Sequence, residues 1–279
     1  MTTRYTNPEW AALVDSTEKQ LQISKSPNRV PDAGSVAFAK TIDHTLLKLD
    51  TTVAQIDSLC DEARRERFAT VCVRLNHVAR AVSNLKGCDV GVACVVGFHE
   101  GTQSTSVKVK EAEEAIYLGA SELDIVINYP ILLNKDYESI FAELATLRTA
   151  VPKAPLKLII ETSQLGRKDV IAATCIASTA RFDCVKTSTG FNGRGASVED
   201  VRLMTAIIRA LGKEDHMWVK ASGGIRGLED AKRMLEAGAA RLGSSSGVWI
   251  MQEARQTTEG IDDRPGTTRL YTDNSIGGY

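Results

Sequence analysis

A chain of 279 residues that is 43% hydrophobic, 25% charged and of net charge −1 has the balance of a soluble globular protein with enough apolar material for one large core. No basic block points to nucleic acid or to an anionic membrane surface, no apolar run approaches the ~20 residues of a bilayer span, and the N-terminus lacks a signal-peptide core. The six cysteines form no C-x-x-C pair and the four histidines show no ligand spacing with them, so we expect free thiols in a reducing, cytoplasmic compartment and no metal.

Residues 1–35 read as an extension that packs outside the main domain or at a partner surface, with a helix over Pro8–Leu21 whose apolar stripe is Trp10, Leu13, Val14 and Leu21. Ser26-Pro27-Asn28 and Pro31-Asp32-Ala33-Gly34 break that pattern. From residue 36 to about 256 the chain alternates. Short Val- and Ile-rich runs at 38–43, 68–74, 89–97, 122–128, 156–161, 182–187, 216–220 and 239–243 predict eight strands. Being mostly continuous in apolar character, they suit a parallel sheet covered on both faces. Helical periodicity falls between them at Thr52–Arg65, Ser104–Leu118, Tyr137–Ala150, Ser197–Leu211 and Leu228–Ala237, with 76–85, 167–179 and 246–255 supplying the rest.

Eight strand–helix units predict an α/β fold, a (β/α)8 TIM barrel, over an open doubly wound sheet. No G-x-G-x-x-G or Walker A pattern is present, so no nucleotide cofactor is expected. Residues 257–279, rich in Thr, Asp and Gly, read either as a frayed tail or as a mobile segment that folds over the site and delivers the terminal Tyr279.

Barrel sites form at the C-terminal strand ends. Those ends carry Asp43, Cys72 to Arg74, Asp124, Glu161, Lys186, Lys220 and Gly243 to Ser246, with Lys157 earlier on its strand. Two stretches share one design: Val185-Lys186-Thr187-Ser188-Thr189-Gly190 and Val219-Lys220-Ala221-Ser222-Gly223-Gly224 each place a lysine at the end of an apolar run and follow it with small residues. A free lysine of pKa ~10.4 is only ~0.04% neutral at pH 7, and a second cation with a dry wall can raise that fraction about a thousandfold. On neighbouring strands, Lys186 and Lys220 would lie side by side, one of them forming a Schiff base. Asp124, inside Leu123-Asp124-Ile125-Val126-Ile127, needs a partner or a proton-transfer task, and the two are compatible. Ser222 to Arg226 and Gly243 to Ser246 follow strands seven and eight, where barrels commonly bind phosphate. Cys72 reads as packing near the mouth.

These motifs, with Ile42-Asp43-His44-Thr45-Leu46-Leu47, Glu122 to Val126, Leu156 to Thr162 and the terminal Tyr279, resemble the deoxyribose-phosphate aldolases over roughly residues 37–255. The resemblance implies a class I aldolase without metal or organic cofactor. It would reversibly cleave 2-deoxy-D-ribose 5-phosphate to D-glyceraldehyde 3-phosphate and acetaldehyde, in deoxyribose phosphate catabolism. It implies Lys186 as the Schiff-base residue, Lys220 as the group that lowers its pKa, Asp124 as proton donor and acceptor, and Tyr279 as a proton-transfer group. It further implies Asp43, Thr45, Cys72, Lys157, Thr187, Gly190, Gly223, Gly224, Arg226, Gly243, Ser245 and Ser246 around the sugar and its phosphate. Phe191 stands where some members carry a lysine, and His99 where proline is frequent. A homodimer or higher oligomer is the expected assembly. Two other readings stay open: a lysine-dependent barrel enzyme for another sugar phosphate, and a barrel scaffold without catalysis.

Overall fold

The computed structural model describes residues 5–259. Of the tail expected over 257–259 and beyond to 279, residues 257–259 continue the last helix, and the remainder with Tyr279 lies outside the described residues. Eight strands run parallel in chain order and close into a barrel: β1 (Ile42–Thr45), β2 (Thr70–Val73), β3 (Gly91–Val96), β4 (Glu122–Val126), β5 (Leu156–Ile159), β6 (Cys184–Lys186), β7 (Trp218–Ser222) and β8 (Arg241–Ser244), with β8 paired back to β1. Around it lie α1 (Asn7–Gln20), α2 (Val36–Ala39), α3 (Val53–Glu66), α4 (Val78–Asn84), α5 (Thr105–Tyr117), α6 (Tyr129–Leu133), α7 (Tyr137–Ala150), α8 (Arg167–Thr179), α9 (Val198–Ala210), α10 (Leu228–Glu236) and α11 (Gly247–Glu259). Among the described residues no helix is long and apolar enough to cross a membrane.

The strands are buried along nearly their whole length, yet their two faces differ. Successive side chains point to opposite sides of a strand. In β4, Leu123 and Ile125 join the large apolar core between barrel and helices, while Asp124 faces the lumen and its ion pairs. The same parity places Leu158, Val185, Val219 and Leu242 outside, and Lys157, Lys186 and Lys220 inside. Burial on both sides accounts for the continuous apolar look of the runs, since the inward charges are few and set between large aliphatic residues.

Local chemistry sets the helix ends. Thr52 and Gln55 form a capping box at the start of α3, Asp136 accepts the amide of Ser139 at α7, and Ser197 accepts the amide of Asp200 at α9. Gly238 after α10 sits at φ 114, and a Cβ there would meet Thr205 Oγ1 at 2.6 Å. The expected strand at 38–43 needs correction. Ser35 caps a short helix by accepting the amide of Phe38, Phe38 and Ala39 are buried on it, and the strand begins only at Ile42. The segment 129–133, where no element was expected, is a short helix capped by Asn128, which accepts the Ile131 amide at 3.4 Å.

α1 packs on α7, α8 and α9. Trp10 is fully buried there, its ring 5.0 Å from that of Tyr5 and 5.5 Å from that of Phe141. Lys168 of α8 pairs with Asp15 at 2.9 Å. Because the aromatic cluster carries this contact, Trp10→Ala should lower unfolding free energy by ~3–5 kcal/mol, measured by urea titration. A loss below about 1 kcal/mol would show that α1 contributes little to the fold.

Candidate active site

Backbone pairing puts Lys186 of β6 opposite Lys220 of β7, and Asp124 of β4 opposite Lys157 of β5. All four side chains are buried in the lumen. Lys186 and Lys220 each reach the same oxygen, Oδ2 of Asp124, at 2.8 Å, and Lys157 reaches Oδ1 at 2.6 Å. The expected side-by-side lysines are thus brought together, but inside the barrel and through a shared carboxylate.

Beneath them lies a second tier. Asp43 of β1 pairs with Lys220 through Oδ2 and with Arg241 of β8 through Oδ1 at 2.6 Å. Lys157 also lies 2.6 Å from Glu122 Oε2 and 3.8 Å from Asp43. Arg241 lies 3.6 Å from Glu122, with its guanidinium 5.3 Å from the centre of the Trp218 ring. Glu122 and Arg241 were not singled out in the sequence. The signal that would have found them is parity: each lies two residues upstream of an inward position, Asp124 and Gly243.

The electrostatics follow from this wiring. Burial alone would push the Asp124 carboxyl up, but Lys157, Lys186 and Lys220 outweigh it and hold the group well below the carboxylate range. Asp43 is depressed in the same way by Lys220, Arg241 and Lys157. Burial would push Lys220 down, yet Asp124 and Asp43 hold its ammonium well above the ordinary lysine range, and Lys157 is raised similarly against its own burial. Asp124 in the resting site is therefore a carboxylate, a proton acceptor. Within these pairs four cations (Lys157, Lys186, Lys220, Arg241) share three carboxylates (Asp43, Asp124, Glu122).

The opposite side of the lumen is apolar. Leu47, Cys72, Ala93 and Val95 form a small cluster of their own, with Phe98 and Phe191 packed on it. Burial pushes the Cys72 thiol up, so it stays neutral. This agrees with its reading as packing. Thr45 is buried, its hydroxyl donating to the Asp43 carbonyl at 2.9 Å. Among the described residues no group of three or more His, Cys, Asp or Glu is placed to hold a metal ion.

At the C-terminal mouth, Thr187 Oγ1 donates to the Ser222 carbonyl at 3.1 Å and accepts the Ser222 amide at 3.0 Å, bracing β6 against β7. Gly190, Gly223 and Gly224 have φ of 88, 88 and 76, open to glycine with little strain. A Cβ on Gly223 would lie 2.9 Å from Gly195 Cα and 3.5 Å from Gly190 Cα, so the loops after β6 and β7 touch main chain to main chain. Ser244 Oγ donates to the Ile225 carbonyl at 2.7 Å and accepts the Ser246 amide at 2.9 Å, tying the β7 loop to the start of α11. Ser245 and Ser246 are half-buried at that helix start, near Gly243. Arg226 is exposed, its amide bonded to Asp230, and stands apart from the buried ion network.

A closed parallel barrel whose lumen holds a lysine–carboxylate cluster belongs to the class of (β/α)8 proteins with a buried amine site. Comparison with known proteins narrows this. The model of the DeoC/LacD family aldolases matches residues 37–253, and the chain belongs to that family. It is 49% identical over 257 residues to a deoxyribose-phosphate aldolase of Coccidioides immitis, covering 92% of this chain and 96% of that one. It is 44% identical over 221 residues to one of Staphylococcus epidermidis, covering 79% of this chain and 98% of the relative. A crystal structure from Coccidioides immitis, provisionally assigned the same activity, superposes with a TM-score of 0.87 at 49% identity, covering 91% of this chain and all of that one. The tetrameric deoxyribose phosphate aldolase of Aeropyrum pernix gives a TM-score of 0.72 at 27% identity, over 88% of this chain and 97% of that one.

The ion network predicts a plateau of stability. Asp43 and Asp124 are depressed, so their contribution is present above the unfolded carboxylate pKa and is lost as pH falls toward their folded values. Lys157 and Lys220 are raised, so theirs is present below the unfolded lysine pKa and is lost as pH rises through their folded values. Melting temperature should be nearly flat between pH ~5 and ~9 and fall outside about pH 4 and 10.5. A steady decline across the neutral range would contradict the network.

Proposed function

We propose that this chain reversibly cleaves 2-deoxy-D-ribose 5-phosphate to acetaldehyde and D-glyceraldehyde 3-phosphate through a Schiff base on Lys186, serving deoxyribose phosphate catabolism. The observation that carries the reading is the unequal sharing of carboxylates among the lysines. Lys157 contacts three acids and Lys220 two, whereas Lys186 has only Asp124, and shares that oxygen with Lys220. Lys186 thus has the fewest carboxylate contacts of the three lysines, and we assign it as the amine that meets the substrate. Family membership and the two relatives named for this activity support the same substrate.

The steps follow from that amine. Its lone pair adds to the C1 aldehyde to give a carbinolamine. Loss of water then leaves a protonated imine. Removal of the C3 hydroxyl proton breaks the C2–C3 bond, and the bonding pair moves into the imine, leaving an enamine as C3 departs as the aldehyde of glyceraldehyde phosphate. Protonation at C2 and hydrolysis release acetaldehyde and restore the amine. Asp124, ionised at rest and hydrogen-bonded to both Lys186 and Lys220, takes up and returns protons in the carbinolamine steps, by way of water. Lys220 competes with Lys186 for Asp124 and so withholds from it a full counter-ion. Gly190, Gly223, Gly224, Ser245 and Ser246 would receive the phosphate, with Arg226 nearby, and Asp43, Thr45, Cys72, Lys157, Thr187 and Gly243 line or brace the sugar site. Tyr279 enters as the group protonating C2 on family likeness alone. We extend the proposal to a homo-oligomer, supported by the tetramer of the Aeropyrum pernix relative and testable by light scattering.

Borohydride reduction in the presence of deoxyribose 5-phosphate should fix the substrate carbon to Lys186, identified by mass spectrometry of the peptide. Lys186→Ala should abolish trapping, and equal trapping by the variant and the parent would refute the assignment. Lys220→Leu should retain some trapping with its optimum moved to higher pH, because Asp124 then serves Lys186 alone. Asp124→Asn should lower turnover by ~10²–10⁴-fold. Deleting Tyr279 should slow proton exchange at the acetaldehyde methyl more than it weakens sugar binding; unchanged exchange would remove that residue from the mechanism.

A further inference from the structure

Glu161 is a buried carboxyl at the barrel mouth for which the proposed mechanism has no use. It follows β5 directly, its side chain is fully buried, and its backbone lies in the left-handed region at φ 56, ψ 62, an unfavourable place for a residue with a Cβ. Such a conformation persists only where surrounding bonds over-determine it. Here they come from the loop after β6. The carboxylate accepts the amide of Thr189 at 3.2 and 3.3 Å, the Thr189 hydroxyl, and Asn192 Nδ2 at 3.4 Å. Burial pushes its carboxyl up, and these donors oppose that shift.

The bonds spread from there. Thr189 Oγ1 accepts the Phe191 amide at 3.1 Å, and Asn192 Nδ2 also donates to the His99 carbonyl at 3.2 Å. The rings of His99 and Phe191 stack at 5.1 Å with 15° between planes. Residues on both sides of Gly190 are thus fastened to one buried acceptor, and Gly190 is held where its Cα approaches Gly223. Glu161 makes no hydrogen bond or ion pair with Asp124, Lys186 or Lys220, and acts on Lys186 only through its charge at a distance.

We infer that Glu161 is a positioning residue whose carboxylate shapes the loop 187–195 and thereby sets recognition of the phosphate-bearing half of the substrate. The inference rests on the aldolase reading for the identity of that substrate. It does not rest on it for the anion site, which inorganic phosphate can probe alone. The discriminating quality is direction: an element that only stabilised the fold would affect phosphorylated and unphosphorylated sugars alike.

The experiment compares the parent with Glu161→Gln, Glu161→Gly and Thr189→Val. Gln keeps the side-chain length and one carbonyl but presents an amide to the Asn192 amide. Gly relieves the left-handed backbone and removes the carboxylate. Val removes only the hydroxyl that Glu161 and Phe191 share. Expected for Glu161→Gln is a roughly tenfold rise in KM for deoxyribose 5-phosphate, with kcat and the KM for unphosphorylated deoxyribose changed less than about twofold. Glu161→Gly should be at least as impaired, and Thr189→Val should move the same way by less. In parallel, inorganic phosphate should raise the parent's melting temperature and raise that of Glu161→Gln markedly less. A phosphate response equal in parent and Glu161→Gln, or absent in the parent, overturns the inference, as does recovery of that response by Glu161→Gly. A parent that fails to cleave deoxyribose 5-phosphate sinks the aldolase reading, while the phosphate response still decides the role of Glu161.

Discussion

One carboxylate, that of Asp124, is the electrical centre of this protein. Three lysines converge on its two oxygens, all four side chains buried in the lumen. Desolvation opposes every one of these charges, so each persists only because opposite charges sit within contact distance. The arrangement in turn requires the barrel. β4, β5, β6 and β7 are consecutive in the wall, and their inward positions meet at similar heights because the pairing register aligns Asp124 with Lys157 and Lys186 with Lys220. A slip of one residue in any of these strands would turn its inward charge, Asp124 or a lysine, into the apolar shell beneath the helices.

The lumen is divided as well as charged. β2 and β3 contribute Cys72, Ala93 and Val95, joined by Leu47 just after β1, an apolar wall continued by Phe98 and Phe191. The charged groups belong to β4 through β8 and to Asp43 of β1. Such a wall lowers the local dielectric and lengthens the reach of the opposite charges. On the proposed reaction it also gives the two-carbon fragment a surface with no hydrogen-bonding demand, while the hydroxyls and phosphate lie toward the polar side and the glycine-lined mouth.

Much of the architecture was legible in the sequence because the outward strand residues and the helix faces obey simple periods. The helix over 137–150 was read to the residue, since Asp136 caps it and Ile140, Phe141, Leu144 and Leu147 form one stripe. The strand expected at 38–43 failed where local and tertiary signals overlap. Phe38 is as apolar as a strand residue, but the Ser35 cap turns it into a helix. The site was legible where two motifs repeat, at Lys186 and Lys220. Glu122, Arg241 and Glu161 were harder to read. Their partners lie on other strands or in a neighbouring loop; parity can mark Glu122 and Arg241 as inward, but nothing local names a counter-ion more than a hundred residues away, as Arg241 is from both Asp43 and Glu122. The thiols were read correctly as free: the described cysteines are unpaired, and all but Cys88 are buried.

The two tiers of the network are unequal in what they permit. Removing Arg241 alone would leave Asp43 with Lys220 and the more distant Lys157. Removing Glu122 alone would leave Lys157 with Asp124 and Asp43 and deepen the positive surplus of the cluster. The lower tier thus governs how the cations are shared among the buried carboxylates. Because buried charges cannot be deleted singly without stranding a partner, the members of both tiers are constrained to change together. The charge balance at Asp124 is in this sense a property of the whole lumen rather than of its nearest neighbours.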